Sequence, residues 1–159
     1  MQYDALVTRE TDSFVIDFPD LVGCQTFAES PDDVPAMARE ALEGWLEANL
    51  AERRVPPRPA RRDAAPRGTG ARGTLIRVTV NPRLAAGLLV RWARQERDLS
   101  QKELAALVGV SQQAVAKLED PDANPSLETI AKVADALGLE VHLDFGAPES
   151  FKPPPTRRR

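Results

Sequence analysis

The 159-residue sequence has one cysteine, one histidine, few aromatic residues and no long apolar run. The single thiol, Cys24, has no internal disulfide partner. Because His142 is the one histidine of the chain, a zinc site or a Cys-His catalytic pair is not expected. No stretch reaches the roughly 18–20 apolar residues that span a bilayer, and the N-terminus lacks the layout of a signal peptide. We therefore expect a cytoplasmic protein without metal, cofactor or membrane partner.

The net charge of −3 conceals three segments of different charge. Residues 1–52 carry 12 acidic and 2 basic side chains, whereas residues 53–73 carry 7 arginines and one aspartate. Residues 74–159 are close to neutral, with 12 basic and 11 acidic side chains. Because opposite charges attract different partners, this segregation predicts two separate binding surfaces.

Residues 1–80 predict a β-β-β-α-β order of elements. The predicted elements are strands over 3–7, 13–18, 24–28 and 74–80 and an amphipathic helix over 31–53 that Ser30 caps. The last strand is expected to join the sheet of the first three. Residues 54–73 are rich in Pro, Gly and Arg and predict a flexible basic loop. The arginines of 53–72 either grip DNA phosphates or belong to a solvated tether, and the composition favours neither.

Residues 81–146 predict four helices and a terminal strand. The helices are predicted over 82–97, 100–108, 111–119 and 126–138, with an apolar side of Leu84, Leu88, Leu89 and Trp92 in the first. A strand over 139–145 places Leu139, Val141, Leu143 and Phe145 on one face. Because a lone strand needs a partner, we expect these four residues to pair with a second copy in a homodimer or higher oligomer. Residues 147–159 predict a disordered tail.

The segment 100–119 has the pattern of a helix-turn-helix. Gly109 supplies the turn, and small apolar side chains hold the two helices together: Leu104, Ala105, Leu107, Val115 and Leu118. The residues left facing outwards are Ser111, Gln112, Gln113, Ala114 and Lys117. Glutamine can bind adenine, lysine can reach guanine or a phosphate, and alanine can contact a thymine methyl group. The sequence therefore predicts a helix that reads the major groove of double-stranded DNA.

The stretch LSQKELAALVGVSQQAVAKLE at 99–119, followed by NPSLETIAKVADALG at 124–138, resembles the Cro/C1-type repressor domain. The resemblance extends over residues 84–138 and implies an all-α domain that binds an operator. It also implies that Gln101 supports a phosphate contact and that Gln112, Gln113 and Lys117 read bases.

The stretch FPDLVGCQT at 18–26, followed by an acidic helix with Glu40-Ala41-Leu42, resembles the N-terminal domain of HicB-type antitoxins. That family has a partial ribonuclease-H-like sheet and the signature Pro-Asp-Leu-Pro-Gly-Cys-x-Thr. This sequence has Val22 at the position of the second proline in that signature. The resemblance covers residues 1–57 and 74–80 and implies a HicA-type toxin, a small basic ribonuclease, as partner. The residues then expected to bind the toxin are Asp17, Phe18, Asp20, Leu21, Cys24 and Thr26. The acidic charge of this segment points to the same kind of partner.

We therefore predict an α+β protein with a toxin-binding domain at 1–80 and a helix-turn-helix domain at 81–146. Its predicted function is that of an antitoxin that also represses its own operon. The alternative is a repressor whose N-terminal domain senses a small ligand. A third hypothesis is a magnesium-dependent nuclease whose metal ligands come from five carboxylates: Asp4, Asp12, Asp17, Asp20 and Glu40. It is disfavoured because the spacing of these residues does not fix three carboxylates at one site. Cys24 is either a small apolar residue or a reactive thiol.

Overall fold

The structure is a computed structural model that describes residues 1–60, 73–143 and 151. These residues form two compact units. The first unit comprises 1–45, 57–60, 73–80 and Phe151, and the second comprises 46–56 and 81–143. The rest of the predicted loop and of the predicted tail lies outside the described residues. None of the helices in the described ranges combines the length and apolar character needed to cross a membrane.

The first unit contains an antiparallel sheet with the strand order β3-β2-β1-β4. Its strands are β1 (Gln2–Arg9), β2 (Phe14–Asp17), β3 (Gln25–Ala28) and β4 (Gly73–Thr79). Ala5 of β1 lies opposite Ile76 of β4, so the strand after the basic loop does join the N-terminal sheet, as predicted. Along β1, alternate side chains share a face, and Tyr3, Ala5 and Val7 are buried there.

Helix α1 (Val34–Ala51) follows the third strand and completes the predicted β-β-β-α-β order. Every fourth residue of this helix is at most 3% exposed: Val34, Ala38, Leu42, Leu46 and Leu50. The helix begins three residues later than predicted, because Ser30 and Asp33 close a turn before it. The Ser30 hydroxyl donates to Asp33 Oδ2 at 2.7 Å and accepts from the Asp33 backbone N–H at 3.3 Å.

Four helices build the second unit: α2 (Pro82–Gln95), α3 (Gln101–Val108), α4 (Gln112–Leu118) and α5 (Leu127–Ala136). The predicted serine caps are all present, at Ser100, Ser111 and Ser126. The core of this unit includes Leu104, Val115 and Val133. Two residues were wrongly predicted to be inward: Leu89 is 47% exposed and Leu107 is 54% exposed. Each lies at the edge of its helix's apolar stripe, where the neighbouring helices do not reach.

The predicted strand over 139–145 is wrong for its described part, since residues 139–143 form no strand. A strand needs an edge that accepts its backbone hydrogen bonds, and within the described chain no strand pairs with this segment. Leu139, Val141 and Leu143 are instead 39%, 41% and 63% exposed. Phe145, the fourth predicted dimerisation residue, lies outside the described residues.

Residues 54–60, the start of the predicted flexible loop, include two prolines whose carbonyls accept hydrogen bonds, and the flexibility of the loop stays a prediction. In the first unit, the Tyr3 hydroxyl donates to the Pro57 carbonyl at 2.6 Å. In the second unit, the Trp92 indole N–H donates to the Pro56 carbonyl at 2.8 Å. Proline has no N–H but keeps its carbonyl, and buried donors such as these require acceptors.

Candidate nucleic-acid and partner interfaces

Helices α3 and α4 are joined by a tight turn at Gly109. Its φ of 77° lies in the left-handed region, which glycine adopts without steric cost. The backbone N–H groups of Gly109 and Val110 both donate to the Ala105 carbonyl at 2.9 Å, which ends α3. Leu104 and Val115, both 0% exposed, fix the two helices against the core. The outer face of α4 is therefore presented by a rigid scaffold.

The predicted DNA-contacting residues lie on this outer face of α4. Gln112, Gln113 and Lys117 are exposed, and Ala114 is half-buried. Within the part of the chain that the structure describes, the side chains of these two glutamines and the lysine make no hydrogen bond. The Ser111 hydroxyl caps the helix by accepting from the Ala114 N–H at 3.1 Å.

A buried ionic cluster holds the end of α4. The carboxylate of Glu119, which is 1% exposed, accepts two hydrogen bonds from Arg94, from Nε at 2.6 Å and from Nη2 at 2.8 Å. Arg91 Nε donates to the same carboxylate at 3.3 Å, and Arg91 Nη2 donates to the Glu119 backbone carbonyl at 3.2 Å. Gln101 Nε2 also donates to the Glu119 carboxylate, to Oε2 at 3.0 Å. The cluster thus joins the start of α3 to the end of α4.

The pKa of Glu119 reflects opposing effects of this environment. Burial alone would raise the pKa of this carboxyl. The hydrogen bonds from Arg94 and Gln101 and the positive charges of Arg94 and Arg91 outweigh burial and hold the pKa below its usual range. The hydrogen bond to Glu119 in turn raises the pKa of Arg94. The cluster is therefore ionised in the folded protein at neutral pH.

The loop from Phe18 to Cys24 carries most of the predicted toxin-binding residues. Three backbone hydrogen bonds close it: Leu21 N–H to Phe18 O at 2.9 Å, Cys24 N–H to Leu21 O at 2.9 Å, and Phe18 N–H to Cys24 O at 3.0 Å. Phe18, Leu21 and Cys24 point inwards and are 1%, 1% and 2% exposed. These three are therefore core residues that shape the loop, and that they bind a toxin directly stays a prediction.

The thiol of Cys24 faces α1. Its Sγ donates to the carbonyl of Ala41 at 3.7 Å. Burial, with a smaller contribution from the charge of Asp17, raises the pKa of the Cys24 thiol to about 12. Because the thiolate is the reactive form and a raised pKa keeps the thiol protonated, Cys24 behaves as a small apolar residue and not as a reactive thiol.

The outer face of β2 and β3 presents a partly apolar, partly acidic surface that we call the outer patch, formed by Val15, Asp17, Gln25 and Phe27. The register places Val15 opposite Phe27 and Asp17 opposite Gln25. Asp17 and Gln25 are exposed, and Phe27 is 60% exposed. Of the predicted toxin-binding residues, Asp17 belongs to this patch, whereas Thr26 is half-buried on the opposite face.

Sequence reasoning missed Phe27, although its alternation with Thr26 and Ala28 could have indicated an outward side chain. Asp20, another predicted toxin-binding residue, is half-buried and accepts from the Ala60 N–H at 3.0 Å.

The carboxylates considered for a nuclease do not form a common site in the described part of the chain. Asp4 is 4% exposed and lies 3.8 Å from Arg77 Nε. No group of three metal-ligating side chains occurs among residues 1–60, 73–143 and 151.

Two family models match the chain. Residues 2–66 match a HicB-like antitoxin of bacterial toxin-antitoxin systems, and residues 90–143 match a helix-turn-helix domain. An HTH-type transcriptional regulator of Sinorhizobium fredii is 38% identical over 64 residues, which is 40% of this chain and 82% of that protein. The chain belongs to the helix-turn-helix family and carries a HicB-like antitoxin domain before its helix-turn-helix.

One relative is similar to this chain over nearly its whole length. Antitoxin HicB 2 of Photorhabdus laumondii is 24% identical over 143 residues, or 90% of this chain and 95% of that protein. A chain in the solved HicA3 and HicB3 toxin-antitoxin complex is 27% identical and aligns with a TM-score of 0.46, covering 52% of this chain and 100% of that one. The predicted resemblance to HicB-type antitoxins with a Cro/C1-type domain is confirmed.

Proposed function

We propose that this chain is an antitoxin that neutralises a HicA-type ribonuclease with its first unit and represses its own operon with its second. The outer face of α4 carries the DNA-binding half of the proposal. Exposed on this face are Gln112, Gln113 and Lys117, and the buried side chains of Leu104 and Val115 fix the helix against the core. A helix that enters the major groove requires such an exposed polar face on a fixed support. The Gln101 amide has two N–H groups, of which Glu119 takes one, and the other serves a DNA phosphate.

Repressors of this architecture bind as dimers whose two reading helices are about 34 Å apart. The exposed apolar side chains of Leu139, Val141 and Leu143 supply a surface for contact between copies. We propose that the segment 139–145 contributes to a homodimer. Truncation after Gly138 should then convert the dimer into a monomer in sedimentation experiments, whereas a truncated protein that stayed fully dimeric would contradict this role.

The test of DNA binding uses a labelled duplex from the region upstream of the protein's own coding sequence. Replacing Gln112, Gln113 and Lys117 together with alanine should lower affinity by more than tenfold, because each base contact contributes about 1–3 kcal/mol of discrimination. Lys132→Ala is the matched control, since Lys132 is paired with Glu128 at 2.7 Å within its own helix. Equal affinities for the triple variant and the wild type would refute DNA binding by α4.

The outer patch supports the antitoxin half of the proposal. It combines an exposed aromatic ring, Phe27, with the carboxylate of Asp17, and the whole segment 1–52 is strongly acidic. An apolar centre with a charged rim is the usual make-up of a protein interface, and the acidic charge attracts a basic partner. The named function of the Photorhabdus relative, an antitoxin, agrees with this role. Binding of this kind requires no catalytic residue.

The proposal predicts that a gene for a small basic protein lies beside this one, and the toxin test uses that protein. Phe27→Asp should abolish the complex in size-exclusion mixing at micromolar concentration, because it buries a charge at the centre of the interface. Leu127→Asp is the matched control, since Leu127 is an apolar residue of α5 with a similar exposed fraction of 62%. If Phe27→Asp bound the toxin as tightly as Leu127→Asp, the outer patch would not be the toxin surface.

A further inference from the structure

The segment after α1 belongs to the second unit and lies beside α2. Arg91 Nη1 donates to the Arg54 carbonyl at 3.3 Å, and the Trp92 indole donates to the Pro56 carbonyl at 2.8 Å. Trp92 is 5% exposed, so its indole N–H depends on this acceptor. The backbone of residues 54–56 is therefore held in place, and with it the preceding residue, Arg53.

Arg53 occupies a position that normally requires glycine. Its φ is 59°, its N–H donates to Leu50 O at 3.0 Å, and the next N–H, of Arg54, donates to Asn49 O at 2.8 Å. These two bonds form a Schellman motif, in which the left-handed residue is usually glycine, as at Gly109. A side chain at positive φ costs backbone energy, so helix termination does not explain the choice of arginine.

Arg53 lines a concavity of about 920 Å³ in the second unit. The same concavity is lined by Gln101, Gln112 and Lys117, the residues to which we assign DNA contacts. Arg53 is exposed and makes no ion pair within the described part of the chain. Its neighbour Arg54 differs in both respects, because it pairs with Glu52 at 2.8 Å and does not line the concavity.

The charges of the concavity leave Arg53 available for an anion. Four basic residues (Arg53, Arg91, Arg94 and Lys117) and three acidic ones (Glu119, Asp120 and Asp122) line the concavity, so its lining has a net charge of +1. The buried carboxylate of Glu119 is paired with Arg94 and Arg91. Positive charge beside the reading helix is what holds DNA backbone phosphates.

We propose that Arg53 binds a phosphate of the DNA backbone next to the groove that α4 enters. The inference rests on the proposed DNA binding of the second unit and extends it to a residue outside the helix-turn-helix. It also divides the arginine-rich stretch, since Arg53 acts in DNA binding and Arg54 does not. The end of the antitoxin domain's helix is in this way part of the DNA-binding surface.

The test measures affinity for the labelled upstream duplex as a function of salt, with the full-length chain. Arg53→Gln and Arg53→Gly should each lower the slope of log affinity against log salt by about 1 per bound protomer, and lower affinity about tenfold at 0.1 M salt. Arg53→Lys should keep the wild-type slope. Arg54→Gln is the matched control and should also keep it.

Arg53→Gly separates binding from folding. Because glycine suits the left-handed position, this variant should unfold at the same or a higher urea concentration than the wild type while it binds DNA more weakly. An unchanged salt slope in Arg53→Gly, or an equal loss in Arg54→Gln, would overturn the role of Arg53 alone. Failure of the wild type to bind the duplex would instead overturn the proposed DNA binding, and the role of Arg53 with it.

Discussion

The loop at 18–24 and the helix at 112–118 both carry family motifs, but the two motifs have opposite positions in the molecule. In the loop, Phe18, Leu21 and Cys24 are at most 2% exposed. In the helix, Gln112, Gln113 and Lys117 are exposed, and Val115 alone is fully buried. The first motif therefore specifies how a loop folds, and the second specifies a surface together with the residues that present it.

This difference shows how a motif should be used to find a binding surface. A family pattern such as Pro-Asp-Leu-x-Gly-Cys indicates the fold, and the contact residues then have to be sought among its exposed neighbours. Here the proposed contact residues are Asp17 and Phe27 on the outer patch. In the helix-turn-helix, the exposed polar residues of the motif are themselves the contact candidates.

The largest expected effect on stability is at Glu119, the buried charge in the second motif. Glu119→Ala should lower the free energy of unfolding by about 3–5 kcal/mol, because it leaves Arg94 and Arg91 buried without their counter-ion. Urea unfolding followed by circular dichroism measures this change. Glu128→Ala, which removes an exposed ion pair with Lys132, should have a much smaller effect. Similar losses in the two variants would contradict the burial of Glu119.

The next effect contrasts two neighbours in the first motif. Leu21 is 1% exposed and Val22 is 93% exposed. Leu21→Ala should cost about 3 kcal/mol of unfolding free energy through lost burial and a cavity, whereas Val22→Ala should change it by less than about 0.5 kcal/mol. If urea unfolding gave the two variants the same stability, the motif would not be the structural element described above.

The pH dependence of stability should reveal the ionised state of Glu119. Its pKa is lowered in the folded protein, so its contribution is present above the unfolded-state pKa and is lost as the pH falls through the folded-state value. The stability difference between the wild type and Glu119→Gln should therefore shrink as the pH decreases below about 4, near the unfolded carboxyl pKa. A difference that grew towards acid pH would show that the pKa is raised.

The smallest effect concerns Ser111, whose hydroxyl caps α4. Ser111→Ala should lower the free energy of unfolding by about 1 kcal/mol, because the Ala114 N–H loses its acceptor. Ser111→Asp should restore stability, since aspartate also caps helices well. If thermal unfolding of the alanine variant matched the wild type and the aspartate variant did not, the hydroxyl would have another role.

Much of the fold follows from local patterns in the sequence. The serine caps at 100, 111 and 126 and Gly109 mark helix ends by side-chain chemistry that acts within a few residues. The alternation of residues 74–80 predicts a strand, and β4 does pair with β1 of the N-terminal sheet. The helix-turn-helix face could be predicted because the apolar positions of α3 and α4 leave few residues to point outwards.

Sequence reasoning fell short where distant residues decide the outcome. Leu89 and Leu107 lie on helical apolar stripes, but the width of a stripe that is buried depends on where neighbouring helices pass. Residues 54–60 have a disorder-like composition, yet the carbonyls of Pro56 and Pro57 are needed by buried Trp92 and Tyr3. The bond between Gln101 and Glu119 joins residues 18 positions apart, and no local pattern indicates it.

The two tryptophans of the chain are distributed one to each compact unit. Trp45 donates its indole N–H to the Val22 carbonyl at 3.2 Å in the first unit, and Trp92 donates to the Pro56 carbonyl in the second. Intrinsic fluorescence therefore reports on both units without a label. One emission transition during denaturation would mean that the two units unfold together, and two would mean that one unit can unfold while the other stays folded.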